Sequence, residues 1–315
     1  MYDKMRKSVF PLLAALIWGV AFVAQKNNTT GALTFNMSRS VIAFLFLLPV
    51  VLIFTKGDIK HILWENNKHD TATLWIGGIC CGTALTAATF LQQLGLDSGT
   101  EAGKASFLTA MYIVIVPILG LFLKKKAPVT VWISIVIAVA GLYLLCVKED
   151  FTLRTSDLLI IGCSILFSVQ ILCIDHFAVK CNGIKLSCIQ FLTSAVISGI
   201  FAFIFETPSW SAILDNTGAI LYLGIFSSGI AYTLQILAQK GANPTISALL
   251  LSMESVFGVV ACAIFLDEVL ALPEYIGCVL MLIAVILAQL PVGGILKRRK
   301  KSRPFSCAVN SLIIY

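Results

Sequence analysis

Charge is scarce in this chain. Asp, Glu, Lys and Arg together make up 12% of its residues, against about 25% in a soluble domain, too little to clothe an ordinary water-facing surface. Histidine is scarcer, with only His61, His69 and His176, and neither an H-E-x-x-H nor a G-x-S-x-G run occurs. The sequence signatures of zinc proteases and serine hydrolases are therefore absent, and a membrane-embedded enzyme would lack its catalytic constellation. Long polar stretches are missing too. The longest connection between apolar runs is 55–71 (TKGDIKHILWENNKHDT), and it and the tail after 292 are too short to fold as soluble modules. No cofactor is expected, and function must reside among the apolar segments.

What is present is hydrophobic. Apolar residues make up 58% of the chain and the mean hydropathy is +0.94, which marks an integral membrane protein. A helix crosses about 30 Å of hydrocarbon at roughly 1.5 Å per residue. Ten runs meet that length: 8–25, 33–54, 72–95, 100–123, 128–147, 156–176, 184–205, 217–239, 243–266 and 272–291. The expected fold is an all-α integral membrane protein of ten transmembrane helices. The first run follows Lys4, Arg6 and Lys7 but reaches Gln25 without a small-x-small cleavage site, so it reads as a retained span.

Basic residues set the orientation, because cytoplasmic loops hold an excess of Lys and Arg. With the N-terminus inside, 18 of the 23 basic residues fall on the cytoplasmic side, six of them in the tail 293–315. Both termini are then cytoplasmic. The net charge of +7 reflects topology and calls for no nucleic acid; the KRRKK tail is a candidate for contact with anionic lipid. Eight of the ten cysteines, Cys80, Cys81, Cys146, Cys163, Cys173, Cys188, Cys262 and Cys278, fall in or at the ends of spans, where Cys acts as a small hydrophobe. Cys173, His176 and Cys181 lack recognised ligand spacing, so no metal is expected.

The chain also repeats itself. An offset of 143 positions lays TFLQQLGLDSGTEAGKASFLTAM (89–111) on YTLQILAQKGANPTISALLLSME (232–254), matching Leu91 with Leu234, Gln92 with Gln235 and Leu108 with Leu251. Two repeats follow, 1–150 and 151–292. Each holds five spans, an odd number, so the second enters the membrane inverted. Such repeats are common in secondary transporters, with the substrate near the midplane between halves.

The segments LLAALIWGVAFVAQK, KASFLTAMYIVIVPILGLFL and ALLLSMESVFGVVACAIFLDEVLALPEYIGCVLMLIAV resemble the EamA-type permeases of the drug/metabolite transporter superfamily. The resemblance runs to about residue 292. It implies a ten-helix, two-half carrier of small metabolites in a bacterial plasma membrane, with a central cavity lined mainly by the first four helices of each half. Two departures stand out. Ser255 follows the membrane Glu254 where such permeases often have Pro, and Lys124 to Lys126 end the fourth span where many have an acid.

Helical spacing sorts the polar residues by face. Ser228, Tyr232, Gln235 and Gln239 stand 4, 3 and 4 apart and form one stripe on an apolar helix. The stripe reads either as a cavity lining or as interhelical hydrogen bonding. Gln92 and Gln235 occupy equivalent places in the two halves, so two amides can approach one solute from opposite sides. Trp18, Phe22 and Gln25 share a face, as core packing or as an aromatic wall. Lys104 sits just inside the outer end of its span and reads as a snorkelling side chain or a weak ligand candidate. Arg39 lies about 9 Å deep and Glu254 roughly 15 Å; the first can snorkel or face inward, and the two could pair or share a zwitterion. Glu254 shares its face with Ser247, Gly258 and Cys262, and a membrane acid marks a functional site by default. It is a candidate proton-coupling group or ammonium partner.

The expectation is a secondary transporter for a small polar or amphipathic metabolite such as an amino acid or an amine, working by alternating access, with protons as the candidate coupling ion. The alternative is a membrane receptor or scaffold. The substrate-binding candidates are Glu254, Gln235, Tyr232, Gln92, Ser228, Gln239, Arg39, Trp18, Gln25 and Lys104.

Overall fold

The computed structural model describes residues 2–25, 28–55, 63–65, 67–100, 102–125, 127–146, 154–265 and 271–290. Residues 56–62 and 66 of the 55–71 connection, Lys26, Lys148, the basic tail 293–315 and the side chains of Phe22, Cys146 and Cys262 lie outside them. The described residues are all-helical. In chain order they form α1 (Tyr2–Gln25), α2 (Ala32–Phe54), α3 (Lys68–Asp97), α4 (Ala102–Ala110), α5 (Tyr112–Phe122), α6 (Val129–Cys146), α7 (Thr155–Phe177) and α8 (Gly183–Phe205). There follow α9 (Trp210–Asp215), α10 (Thr217–Tyr222), a π-helical segment Leu223–Ala231, α11 (Tyr232–Gln239), α12 (Pro244–Leu251), α13 (Glu254–Phe265) and α14 (Leu272–Gln289).

Eight of these stretches are long and apolar enough to cross a membrane; α6 is a shorter apolar helix, and the first expected span falls within α1. Large apolar side chains such as Leu45, Val136, Phe203 and Ile286 point outward, as a lipid solvent permits and water would not. The ends follow ordinary capping rules. Asn67, Asn182 and Asn243 each accept a hydrogen bond from a backbone N–H two residues on, satisfying donors the helix cannot.

Three spans expected to be continuous helices are not. The 100–123 span breaks at Met111, where Met111 N donates to Leu108 O and Val114 N to Met111 O, both bonds of i to i−3 type. Pro117 offers no N–H to the carbonyl of Ile113, which weakens the turn beyond the break. The 243–266 span breaks at Ser252–Met253. There the Ser252 hydroxyl bonds the Leu249 carbonyl at 2.8 Å, a local bond that competes with the helix ladder. Under the 143-residue offset Met111 corresponds to Glu254, so the two breaks fall within two residues of equivalence. The 217–239 span widens into a π turn over Leu223–Ala231, rich in small residues: a Cβ on Gly224 would meet Ile42 at 2.6 Å and one on Gly229 would meet Phe46 at 2.7 Å.

With lipid tails as apolar as the helices, close packing and internal hydrogen bonds hold the bundle together. Helix α1 crosses α13 at Gly19 and Gly258, and α6 crosses α14 at Gly141 and Gly277. Helix α2 is bonded to α8 and its C-cap over its first turns: Asn36 donates to Ser198 at 2.8 Å, Ser40 pairs with Ser194 at 3.0 Å, and Glu206 receives the N–H groups of Leu33 and Thr34 at 2.9 and 2.8 Å. The Glu206 carboxylate thus caps α2 from the far end of α8, against the positive end of its dipole.

Candidate functional site

The helix breaks border one internal cavity. It has a volume of about 40 Å³ and is lined from α1, α2, α3, α4, α5, α7, the π segment, α11, α12 and α13. That volume accommodates a few waters. It is too small for a metabolite of ordinary size, so a solute enters only if helices move.

An aromatic wall lies on one side. The Trp18 and Tyr232 rings stand 4.6 Å apart and tilted at 55°, and Phe191 meets Tyr232 edge-on at 5.7 Å. Trp18 donates its indole N–H to the Ser227 carbonyl at 3.2 Å. The wall is therefore fixed in orientation, not loosely packed.

The charged groups are two. Glu254 opens α13, is 6% exposed and accepts a hydrogen bond from the Tyr112 hydroxyl at 3.2 Å. Arg39 is 7% exposed and donates Nε to Asn36 Oδ1 at 3.0 Å; Asn36 is itself held by Ser198 and Thr89. The sequence left Arg39 between the outer interface and the interior; it lines the cavity. It does not pair with Glu254: the described ion pairs join His69 to Asp70, Lys104 to Asp157, Lys125 to Asp175 and Lys185 to Glu65. A cation and an acid thus line one space whose other polar groups are neutral.

Amides complete the lining. Gln92 donates to Thr109 at 3.3 Å, and Gln235 donates to Gln170 at 3.3 Å. Gln25 lines the cavity near the end of α1. These groups bond either a donor or an acceptor on a solute without a net charge.

The EamA-like transporter family model matches residues 6–147 and again 154–290. The chain belongs to the EamA-like transporter family. An uncharacterized transporter from Archaeoglobus fulgidus is 31% identical over 286 residues, covering 89% of this chain and 84% of that protein. A crystal structure known only as that of a protein superposes on 94% of this chain and 99% of its own, with a TM-score of 0.74 at 17% identity, which shows a shared fold. The chain is accordingly a multi-pass membrane transporter that fits the drug/metabolite transporter superfamily.

In this EamA-like chain, Trp18, Gln25, Arg39, Gln92, Tyr232, Gln235 and Glu254 of the sequence candidates meet at the cavity, while Ser228, Gln239 and Lys104 do not. Each exception has a cause. In a π turn the repeat is i to i+5, so Ser227, five residues before Tyr232, takes the place that α spacing assigns to Ser228. Gln239 is buried one turn beyond the cavity. Lys104 does not snorkel to headgroups: it is ion-paired with the fully buried Asp157 at the start of α7, which also accepts from Thr100 Oγ1 at 3.1 Å and Arg154 N at 2.7 Å. Sequence reading overlooked Thr109, Tyr112, Phe167 and Gln170. Gln170 carried a signal, being an amide within a 23-residue apolar helix, whereas Gln92 was singled out by its equivalence to Gln235; in the structure Gln170 is fully buried. The Ser255 hydroxyl pairs with Ser106 at 2.7 Å, and the helix breaks without proline.

Proposed function

We propose that the protein is a ten-span carrier, built as two inverted five-helix repeats over 1–150 and 151–292, that moves a small zwitterionic or amphipathic metabolite, an amino acid or an amine, by alternating access. The observation that carries this reading is the cavity itself. Arg39 and Glu254 line one space together with amides and an aromatic wall, and three helix irregularities border it. A solute carboxylate has Arg39 for a partner, an ammonium has Glu254, and an apolar side chain has Trp18 and Tyr232. Discontinuous helices at the site are the usual build of inverted-repeat transporters. The double match to one family model and the near-equivalent breaks at Met111 and Ser252 support the duplication. Glu254 is the candidate proton-coupling group, since a carboxyl that exchanges a proton for a cation links the two fluxes.

The protein sits in the cell membrane with both termini in the cytoplasm, following the basic-residue bias. Cysteines placed at 148–157 and at 297–303 in a thiol-free background are expected to label from opposite sides. Transport is tested in liposomes with labelled amino acids, their N-acetyl and methyl-ester derivatives, and simple amines. Flux of the free amino acid with loss on capping either end supports the zwitterion reading. Absence of flux across the whole panel leaves a receptor or scaffold instead.

A further inference from the structure

The cavity lining ends at Gln170 and Gln235, but the amides continue beyond it. Gln170 donates onward to Gln190 Oε1 at 3.4 Å. Gln239 stands one helical turn after Gln235 on the same face of α11. Gln190 is fully buried and Gln239 is 1% exposed. Seven buried polar side-chain atoms lack a hydrogen bond among the described residues, and four of them belong to these glutamines: Gln190 Nε2, Gln235 Oε1, and both terminal atoms of Gln239.

Buried polar groups are normally satisfied, and a truly orphaned one needs an explanation. Replacing such an amide by leucine would bury more apolar surface and leave nothing unpaired. Clustered orphans next to a transport cavity point to a second state in which these atoms are bonded. The chain ends around them are closed by contacts that can open. Lys125 is ion-paired with Asp175 at the end of α7, Arg6 donates to the Lys240 carbonyl at 3.0 Å at the end of α11, and Lys185 at the start of α8 holds Glu65 at 3.0 Å.

We propose that Gln190 and Gln239, continuing from Gln170 and Gln235 in the cavity wall, form a second hydrogen-bonding station beside the central cavity, which takes up water and the uncharged polar part of the solute when the Lys240 end opens. The proposal rests on the central cavity being a transport site. An amide offers a donor and two acceptor lone pairs, so the station holds a passing hydroxyl, amide or hydrated group without trapping it as a fixed charge would.

The test uses the full-length protein with its native cysteines replaced, in inside-out vesicles. Gln190→Cys, Gln239→Cys and the equally buried Ala238→Cys are treated with the membrane-impermeant thiol reagent ethyltrimethylammonium methanethiosulfonate. The two station positions are expected to react at least tenfold faster than Ala238→Cys; equal rates at all three overturn the proposal. This readout needs no substrate, so equal labelling in a protein that carries solute overturns the station alone, whereas absence of flux with the expected labelling overturns the transport reading and leaves only the access of water to these amides. Should the cysteine variants fail to fold, Gln190→Leu and Gln239→Leu serve instead, with melting temperature and uptake of a labelled amino-acid mixture as readouts. A raised melting temperature with at least tenfold slower uptake is expected, and a raised one with unchanged uptake overturns the station.

Discussion

Replacing Gly19 by alanine tests whether α1 and α13 touch as closely as described. A Cβ at position 19 would lie 2.7 Å from Gly258 N, 2.7 Å from Phe257 Cβ and 2.8 Å from the Glu254 carbonyl oxygen. Two of the three are backbone atoms, so no rotamer change relieves the clash. To restore ordinary contact α1 must retreat by about 0.7 Å, from 2.7 to 3.4 Å. Overpacking of this kind costs ~1–3 kcal/mol. For domains of about 150–250 residues each kcal/mol moves the melting temperature by ~2–4 °C, so thermal unfolding in detergent is expected to fall by several degrees. Gly218→Ala is the control. Nothing lies within 4 Å of its Cβ, and alanine leaves the unfolded chain less freedom than glycine, so its melting temperature is expected to hold or rise. A Gly19→Ala protein that melts at or above the parent would refute the crossing.

Other expectations concern the site and its supports. Glu254→Gln keeps the acceptor that the Tyr112 hydroxyl uses at 3.2 Å while removing the titratable group; it is expected to fold normally and to lose either the pH dependence of flux or most substrate affinity, and unchanged behaviour in both would reduce the carboxyl to packing. Gln92→Leu and Gln235→Leu are each expected to slow flux with monodispersity intact on size exclusion, since leucine does not hinder insertion; parental rates in both would place the solute elsewhere. Lys104→Met leaves Asp157 buried without its cation, a loss of ~3–5 kcal/mol for a buried pair, and should lower the melting temperature far more than Lys180→Met, a change on an exposed side chain. Equal effects would mean that the pair carries little of the stability.

Much of this architecture is legible from composition and period. Hydrophobic runs of helical length place the helices to within a few residues, because lipid forces every backbone group to be satisfied internally. Polar residues in those runs are conspicuous, and Gln92, Gln235 and Glu254 stand out for that reason. The breaks are less visible. Neither Met111 nor Ser252–Met253 carries a proline at the break itself, and the cause lies in short-range bonds such as that of the Ser252 hydroxyl. The π turn shifts the phase by one residue and exchanges Ser228 for Ser227, which no fixed period of 3.6 anticipates. The fate of Lys104 depends on Asp157, 53 positions away, and such a pairing belongs to tertiary structure alone.

The capping of α2 by Glu206 bears on how the molecule divides mechanically. Helix α2 lies in the first segment that the family model matches, yet its leading N–H groups, Thr34, Asn36 and Ser40 are all tied to α8 or its C-cap, in the second. The bonds that hold Arg39's helix therefore run to α8, in the segment of the second family match, whereas Trp18's helix packs on α13. Expressed alone, residues 1–150 would present α2 with an open end and three stranded hydroxyl and amide groups. The two matched segments are then interlocked partners, expected to assemble together and not one after the other.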